Sequence, residues 1–313
     1  MLLNNLDNLA TIDIVIVNWN AGTQLRECLD SLIQYGKTSP NQIILVDNGS
    51  IDNSIDNIES MDLPIVVIRN VTNRGFGAAC NQGAALAKSE FILFLNPDTR
   101  LFKDSLTIPI SFMQQPNNSN IGICGIGLVD ECGKPSTSAA RFPTLQVMAG
   151  KILGLSKLLP SVFPPHLMIS SVLQESGLVD QVIGAFFLIR SDVFKLCNGF
   201  DERFFVYFEE VDLSLRAKQR GYSSYFLSEV SAYHKGGGCS ERIKAKRLFY
   251  SLRSRILYAQ KHYTKIEFLA LLALTTIELP LRLAQNIMKL SWLDIKNTST
   301  AYIQLVAYFI RRD

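Results

Sequence analysis

A chain of 313 residues with 48% hydrophobic and 19% charged residues is long enough to bury a substantial core and too apolar to be disordered as a whole. Its six cysteines, Cys28, Cys80, Cys124, Cys132, Cys197 and Cys239, form no CxxC pair, which argues against a zinc site or disulfide framework and for reduced thiols in a cytoplasmic protein. The net charge of +3 conceals a polarity: residues 241–313 hold 13 Lys/Arg against 5 Asp/Glu, and residues 1–240 hold 18 against 23, so a basic third follows an acidic body and implies an anionic partner, nucleic acid or an anionic membrane surface. The first ten residues lack a basic start and a long apolar run, so no secretory signal is expected.

Read in chain order, residues 12–17 form a buried strand. Thr23–Tyr35 places Leu25, Cys28, Leu29 and Leu32 at helical spacing. A strand is expected at 42–46, then a helix near 53–61, a strand at 63–69, an Ala-rich helix at 76–88 and a strand at 91–95. Strands alternating with helices predict parallel βαβ units, with ligands bound beyond the strands' carboxyl ends. Those ends carry Asn18-Trp19-Asn20, Asp47-Asn48-Gly49-Ser50 and Asn96-Pro97-Asp98. Further strands are expected at 121–129, 182–189 and 222–226, and a helix at 207–220. Residues 141–173, rich in proline, read as a loop or insertion, and residues from 241 onward as mostly helical.

Chemistry concentrates at the strand ends. Asp98 follows a strongly apolar strand, where a carboxylate reaches a hard cation bridging two phosphates or simply caps a turn. Asn48 offers a donor and an acceptor that suit the edge of a pyrimidine, and Trp19 offers either an aromatic face for the base or ordinary core packing. In the run from Gly199 to Leu213, Glu209, Glu210 and Asp212 open a helix. They read either as an N-terminal capping cluster or as the source of a base that accepts a proton from a sugar hydroxyl. His234 precedes Gly236-Gly237-Gly238, a stretch free to fold over phosphates.

Taken in order, Val15-Ile16-Val17-Asn18-Trp19-Asn20, Val46-Asp47-Asn48-Gly49-Ser50, Asn73-Arg74-Gly75-Phe76-Gly77 with Asn81, Asn96-Pro97-Asp98, Gly199-Phe200-Asp201-Glu202 and the Glu-Glu-Val-Asp-Leu run resemble family 2 glycosyltransferases, in the bacterial rhamnosyltransferase-like branch. The resemblance runs over roughly residues 12–240. It implies an α/β GT-A fold with a mostly parallel central sheet, an inverting mechanism, a nucleotide-diphosphate sugar donor and Mg²⁺ or Mn²⁺. It further implies that Val17, Trp19 and Asn48 hold the base with Asp47 in support. Gly75 and Asn81 belong to the nucleotide-binding set. Asn96 lies near the ribose where many members have Asp, Asp98 and His234 bind the metal, and Glu210 is the catalytic base, with Glu209 and Asp212 as the alternatives.

The expected division is a catalytic domain over 1–240 and a basic helical region over 241–313. The expected donor is dTDP-rhamnose, with UDP- or GDP-sugars next, and the acceptor a glycan or lipid-linked hydroxyl in cell-surface polysaccharide synthesis. The basic third is expected to lie peripherally on the inner face of the cell membrane, because the apolar run 268–277 is too short to span a bilayer. Packing on the rest of the chain or on a second copy is the competing use of those helices. Nucleic acid is not expected as a partner, since it would not explain the crevice. A nucleotidyltransferase is disfavoured by the lack of a Gly-rich, Arg/Lys-containing loop near the first strand. A non-catalytic nucleotide-sugar-binding module stays open as the alternative function.

Overall fold

The structure, a computed structural model, describes residues 10–35, 40–169, 175–236 and 243–311. It divides into two compact units. The first contains the described residues of Met1–Arg141, Leu167–Glu202 and Glu209–Cys239, and the second those of Phe142–His166, Arg203–Phe208 and Ser240–Asp313.

The first unit is built on a nine-stranded mixed sheet. Four strands, β1 (Ile12–Asn18), β2 (Gln42–Asp47), β3 (Ile65–Arg69) and β4 (Phe91–Leu95), lie parallel in the order β3-β2-β1-β4. The sheet continues through β11 (Phe186–Arg190), β6 (Ile121–Val129), β12 (Ser223–His234) and β5 (Thr99–Leu101), and β9 (Gly177–Val179) joins β12. A small second sheet holds β7 (Thr137–Ala140), β8 (Leu167–Ile169) and β10 (Gln181–Val182). The α/β class and the mostly parallel arrangement of the nucleotide half agree with the sequence reading.

The continuous apolar runs of β1, β2 and β4 follow from burial on both faces. Along β1, Ile14 and Ile16 meet Leu25, Cys28, Leu29 and Leu32 of α1 (Thr23–Tyr35). Val15 and Val17 point the other way, into a cluster with Ala79 and Cys80 of α2 (Phe76–Ala84). Strand direction then positions the site. β11 is antiparallel to both β4 and β6, so β6 and its parallel partner β12 point the same way as β1, β2 and β4. With β3, parallel to β2, the carboxyl ends of six strands, including His234 at the end of β12, therefore share one edge of the sheet.

Three elements differ from the sequence reading. The helix expected at 53–61 is a single 3₁₀ turn, Ile58–Ser60, because Asn57 takes a left-handed φ of 58° and the Ser54 hydroxyl is bonded to Asn18 and Asp52. The stretch 141–173 is not merely loop: it contains α4 (Leu145–Ile152), capped by Thr144, and β8. The helix expected at 207–220 is α6 (Glu209–Lys218), preceded by Tyr207 and Phe208 at positive φ. Between them along the chain, the remaining helices of this unit are α3 (Thr107–Gln114) and α5 (Ser191–Leu196).

The second unit is helical, formed by α4 with α7 (Lys244–His262), α8 (Lys265–Met288) and α9 (Trp292–Ile310). Val147 and Met148 of α4 pack with Ala259 and Leu271, and Leu252 and Ile256 pack with Tyr302 and Leu305. α8 opens with a capping box between Thr264 and Glu267. Glu278 in its middle is buried yet stays ionised: burial opposes the charge, but Arg255 and Arg282, each 2.6 Å away, hold the carboxyl below its usual range. Among the described residues, no helix is long and apolar enough to cross a membrane.

Candidate active site

The first corner of the crevice is held by side-chain amides. Asn18, fully buried at the end of β1, donates to Asp47 Oδ1 (2.9 Å), Ser50 Oγ (3.0 Å) and Ser54 Oγ (2.8 Å). Asn48 donates to Asn73 Oδ1 (3.0 Å) and to the Gly75 carbonyl (3.1 Å), and its Oδ1 accepts from Asn70 Nδ2 (3.1 Å) and the Arg74 amide (3.0 Å). An Asn amide makes four hydrogen bonds, so this one has none left for a base edge. Asn48 instead pins the 70–75 loop, and Gly49 is required beside it: at a φ of 75°, a Cβ would lie 2.9 Å from the Thr72 carbonyl carbon. Gly75, at a φ of 92°, starts α2. Trp19 is half-buried at the mouth, whereas the Val17 side chain lies in the core. Asn70 and Gln82 exchange a reciprocal amide pair behind the loop. The sequence reading missed this network of Asn18, Asn70, Asn73, Ser54 and Gln82; the unusual density of Asn and Ser after β1 and β2 was its signal.

The second corner is the β4–β5 turn. β5 pairs antiparallel with β12 so that Thr99 stands opposite His234. This register brings His234 Nε2 to 3.4 Å from Asp98 Oδ1, with Asp98 only 7% exposed. Two residues 136 positions apart in sequence thus meet, as the resemblance implied. A carboxylate oxygen and an imidazole nitrogen at this spacing suit a divalent cation that takes its remaining ligands from phosphate oxygens and water. Among the described residues, no third His, Cys, Asp or Glu joins them in a metal-holding cluster. Asn96 begins the turn, its amide donating to the Ala185 carbonyl (3.0 Å). Beneath it, burial and then the Asp98 charge push the Cys28 thiol far up, so Cys28 is inert packing. Gly236 is described, but the rest of the glycine run after His234 lies outside the described residues.

The third corner separates the three carboxylates of α6. Asp212 is fully buried and forms an ion pair with Arg216 at 2.7 Å; Arg216 also donates to the carbonyls of Cys197 and Gly199. It is a structural anchor for the turn after α5. Glu209 is 4% exposed, and its Oε2 has no hydrogen-bond partner. Burial and then the neighbouring Glu210 raise its pKa well above the ordinary carboxyl range, which favours its protonated form. Glu210 is half-buried at the rim, where a methyl added to Gly184 would stand 3.8 Å from its Cγ. Gly184 adjoins Ala185, which is bonded to Asn96, so Glu210, the Asn96 turn and the Asp98–His234 pair occupy one contiguous stretch of rim. Gly184 and Ala185 were not singled out in the sequence, where nothing distinguishes them from ordinary strand-entry residues.

Asn81 closes the site from α2. Its amide donates to the Phe200 carbonyl (2.9 Å) and Glu202 (3.0 Å) and accepts from the Phe200 amide (2.9 Å). It therefore fastens the Gly199-Phe200-Asp201-Glu202 turn and makes no visible opening toward the crevice. Gly199 has a φ of 66°, and a Cβ there would lie 2.6 Å from Asn81 Oδ1, so only glycine lets the two meet. Phe200 anchors the turn in the core against Phe94, ring centroids 4.9 Å apart.

Comparison with known proteins gives this rim a context. Residues 13–153 match the family model described as glycosyl transferase family 2. The chain is 27% identical over 194 residues to the rhamnosyltransferase WbbL of Escherichia coli K12, covering 59% of this chain and 69% of that protein. It is 24% identical over 268 residues to the N-acetylglucosaminyl-diphospho-decaprenol L-rhamnosyltransferase of Mycobacterium tuberculosis, covering 80% of this chain and 85% of that one. In fold it is similar to the mannosyltransferase PcManGT from Pyrobaculum calidifontis, solved with GDP-Man and Mn²⁺, with a TM-score of 0.56 at 13% identity, covering 96% of this chain and 76% of that chain.

Proposed function

From the family 2 glycosyltransferase domain that residues 13–153 carry, in a chain that resembles the rhamnosyltransferase-like branch, we propose an inverting, metal-dependent transferase. It moves a rhamnose-like sugar from a nucleotide-diphosphate donor to a hydroxyl of a glycan or lipid-linked acceptor in cell-surface polysaccharide synthesis. The observation that carries this reading is the rim itself: an Asp98–His234 pair suited to a cation lies on the same edge as a half-buried carboxylate, Glu210. The names of the two relatives favour rhamnose as the sugar, and the second a lipid-linked acceptor; the nucleotide we propose is dTDP, with UDP- and GDP-sugars next.

In this mechanism the acceptor hydroxyl passes its proton to Glu210 while its oxygen attacks the anomeric carbon. The bond to the nucleotide diphosphate breaks on the opposite face, and the configuration inverts. Asp98 and His234 would hold a Mg²⁺ or Mn²⁺ ion, which when bound offsets the negative charge growing on the departing phosphates. Trp19 faces the base, and Asp47, Asn48 and Gly75 act by fixing the loop around it. Asn81 keeps the acceptor-side turn in place, and Asn96 connects the nucleotide side to Ala185. Thermal shift against a panel of nucleotide sugars should show its largest rise with dTDP-rhamnose. Donor hydrolysis by the same sample should stop with EDTA and return with Mn²⁺. A donor-dependent shift with no turnover under any condition would instead favour the non-catalytic binding module.

The second part of the proposal is peripheral attachment to an anionic bilayer through the C-terminal end of α8, whose apolar residues among Arg282, Gln285 and Lys289 already suit a membrane interface in the sequence. Phe268, Leu271, Leu272 and Leu279, apolar in the sequence, pack against the other helices of their unit. Arg255 is buried on Glu278, Arg253 is bonded to the Arg203 carbonyl, and Lys244 pairs with Asp294. Leu271 and Arg255, both buried, are therefore not available to lipid. Five exposed apolar residues lie together in sequence at the α8–α9 corner: Ile287, Met288, Leu290, Trp292 and Leu293 are each more than half exposed, from 59% to 81%. Lys289 and Lys296 flank them. An apolar corner with a Trp and neighbouring lysines suits the headgroup boundary of an anionic membrane. Full-length protein should float with anionic liposomes at low salt and partly dissociate at high salt, and Trp292→Glu with Leu293→Glu should abolish flotation. Wild-type protein remaining at the bottom at low salt would leave the corner to a second copy of the chain.

A further inference from the structure

We infer that Arg100 is a positioning residue for the Asp98–His234 pair, fastening the short strand β5 to the Tyr233 ring and to α1; this rests on the reading of that pair as the cation site. All the residues concerned belong to the first unit. β5 is three residues long and ends the sheet, with β12 as its strand neighbour. So short a ladder gives few backbone bonds to hold Asp98 at the entrance of β5 against His234. The bond from the Lys235 amide to the Asp98 carbonyl is long, at 3.3 Å, and the Thr99 hydroxyl reaches the Ala185 carbonyl, on the β11 side, only at 3.4 Å.

Side chains supply what the ladder lacks. Leu101 seats the far end of β5 in the core, and its amide donates to Ser31 Oγ of α1 at 3.0 Å. Arg100 and Tyr233 stand directly opposite each other in the antiparallel register, so they share one face, while Thr99 and His234 share the other. The Arg100 guanidinium lies over the Tyr233 ring, 3.8 Å from its centroid, and donates to Glu27 Oε2 of α1 at 3.3 Å. The ring is itself held, since Tyr233 is buried and its hydroxyl donates to Glu131 Oε1 at 3.1 Å. Both members of the Glu27–Arg100 ion pair are well exposed, so it contributes little. The contact with the buried ring is the stronger tie, because desolvation strengthens a cation–π contact. Arg100 lies two residues after Asp98, and Tyr233 directly precedes His234, so this one contact joins the two strands that carry the pair. Without it the entrance of β5 is free to draw away from β12, and the 3.4 Å separation of Asp98 and His234 opens. The charge of Arg100 makes the sign of its effect decisive. A cation near the site repels a metal ion, so loss of the charge alone would tighten metal binding, whereas loss of positioning weakens it.

The test is Mn²⁺ binding to the full-length chain, followed by electron paramagnetic resonance with dTDP present and no turnover. Arg100→Ala should bind Mn²⁺ about tenfold more weakly, the scale of loss when a partner that orients metal ligands is removed. Arg100→Gln, which keeps a long polar side chain but no cation, is a second probe with the same expectation should the alanine variant misfold. Arg100→Lys, which keeps a cation over the ring without the planar stack, should fall between Arg100→Ala and wild type. Tyr233→Leu should match Arg100→Ala, and the double variant should lose little more, because both changes remove the same contact. Transfer by Arg100→Ala should be slow at limiting Mn²⁺ and approach the wild-type kcat at saturating Mn²⁺, whereas a general loss of structure lowers kcat at every concentration. Unchanged or tighter Mn²⁺ binding by folded Arg100→Ala, with binding lost in Asp98→Ala, overturns the inference and leaves the metal reading standing. Retained Mn²⁺ binding in Asp98→Ala overturns the metal reading, and this inference with it.

Discussion

Asp98→Ala is expected to lower metal-dependent transfer by at least about a hundredfold and up to several thousandfold, the range seen when one electrostatic stabiliser of a leaving group is removed. The residue lies at the sheet edge and outside the apolar core, and among the described residues its ion-pair neighbour is His234. The fold should survive, so the thermal midpoint without ligand should stay close to wild type. A readout independent of turnover is Mn²⁺ binding followed by electron paramagnetic resonance: the variant should lose most of its affinity in the presence of nucleotide diphosphate. His234→Ala should show the same pattern with a smaller loss, because a neutral imidazole contributes no negative charge. Turnover near wild type in purified Asp98→Ala would remove the metal assignment from this turn.

Glu210→Gln preserves shape and hydrogen bonding but cannot take a proton, so transfer should fall by at least about a hundredfold with donor affinity nearly unchanged. The decline of kcat/KM at acid pH, which a carboxylate base imposes, should disappear in the variant. The two neighbouring acids supply controls with different signatures. Glu209→Gln replaces a group whose burial favours its protonated form, so transfer should be retained. The sign of its stability effect is fixed by the raised pKa: native Glu209 contributes stability below the ordinary carboxyl pKa and loses it as the pH rises toward its folded value. The Gln variant should therefore be relatively more stable at alkaline pH. Asp212→Ala leaves Arg216 buried without its partner and should cost ~3–5 kcal/mol of stability, read as a lowered thermal midpoint. Transfer lost in Glu209→Gln but kept in Glu210→Gln would move the base by one residue.

What the sequence disclosed and what it concealed divide along a physical line. β1, β2, β4 and β6 are legible because burial on both faces leaves mainly apolar runs, broken in β1 by Asp13, and α1 because its apolar residues recur at helical spacing. Asp98 and His234 were nominated together only through a resemblance; that they meet depends on the β5–β12 register, which no local pattern encodes. The helix expected at 53–61 failed because the Ser54 hydroxyl serves Asn18, 36 positions earlier. α4 was missed because its apolar face is matched by Ala259 and Leu271, more than a hundred residues later. Asn48 was legible as a turn residue, but its four partners lie in a loop the sequence cannot place. The ambiguity among Glu209, Glu210 and Asp212 arose because helical spacing alone does not say which carboxylate has an arginine.

The composition of the helical unit has a consequence for how this chain can be cut and recombined. That unit draws on three separate stretches, Phe142–His166, Arg203–Phe208 and Ser240–Asp313. A chimera made by exchanging everything after residue 240 would separate Ser254 from Val206, Tyr258 from Phe208 and Tyr263 from Pro143. The grafted helices would arrive without the two short segments they were matched to, one of which leads directly into Glu210. Exchange of the helical unit between relatives therefore requires three coordinated crossovers rather than one.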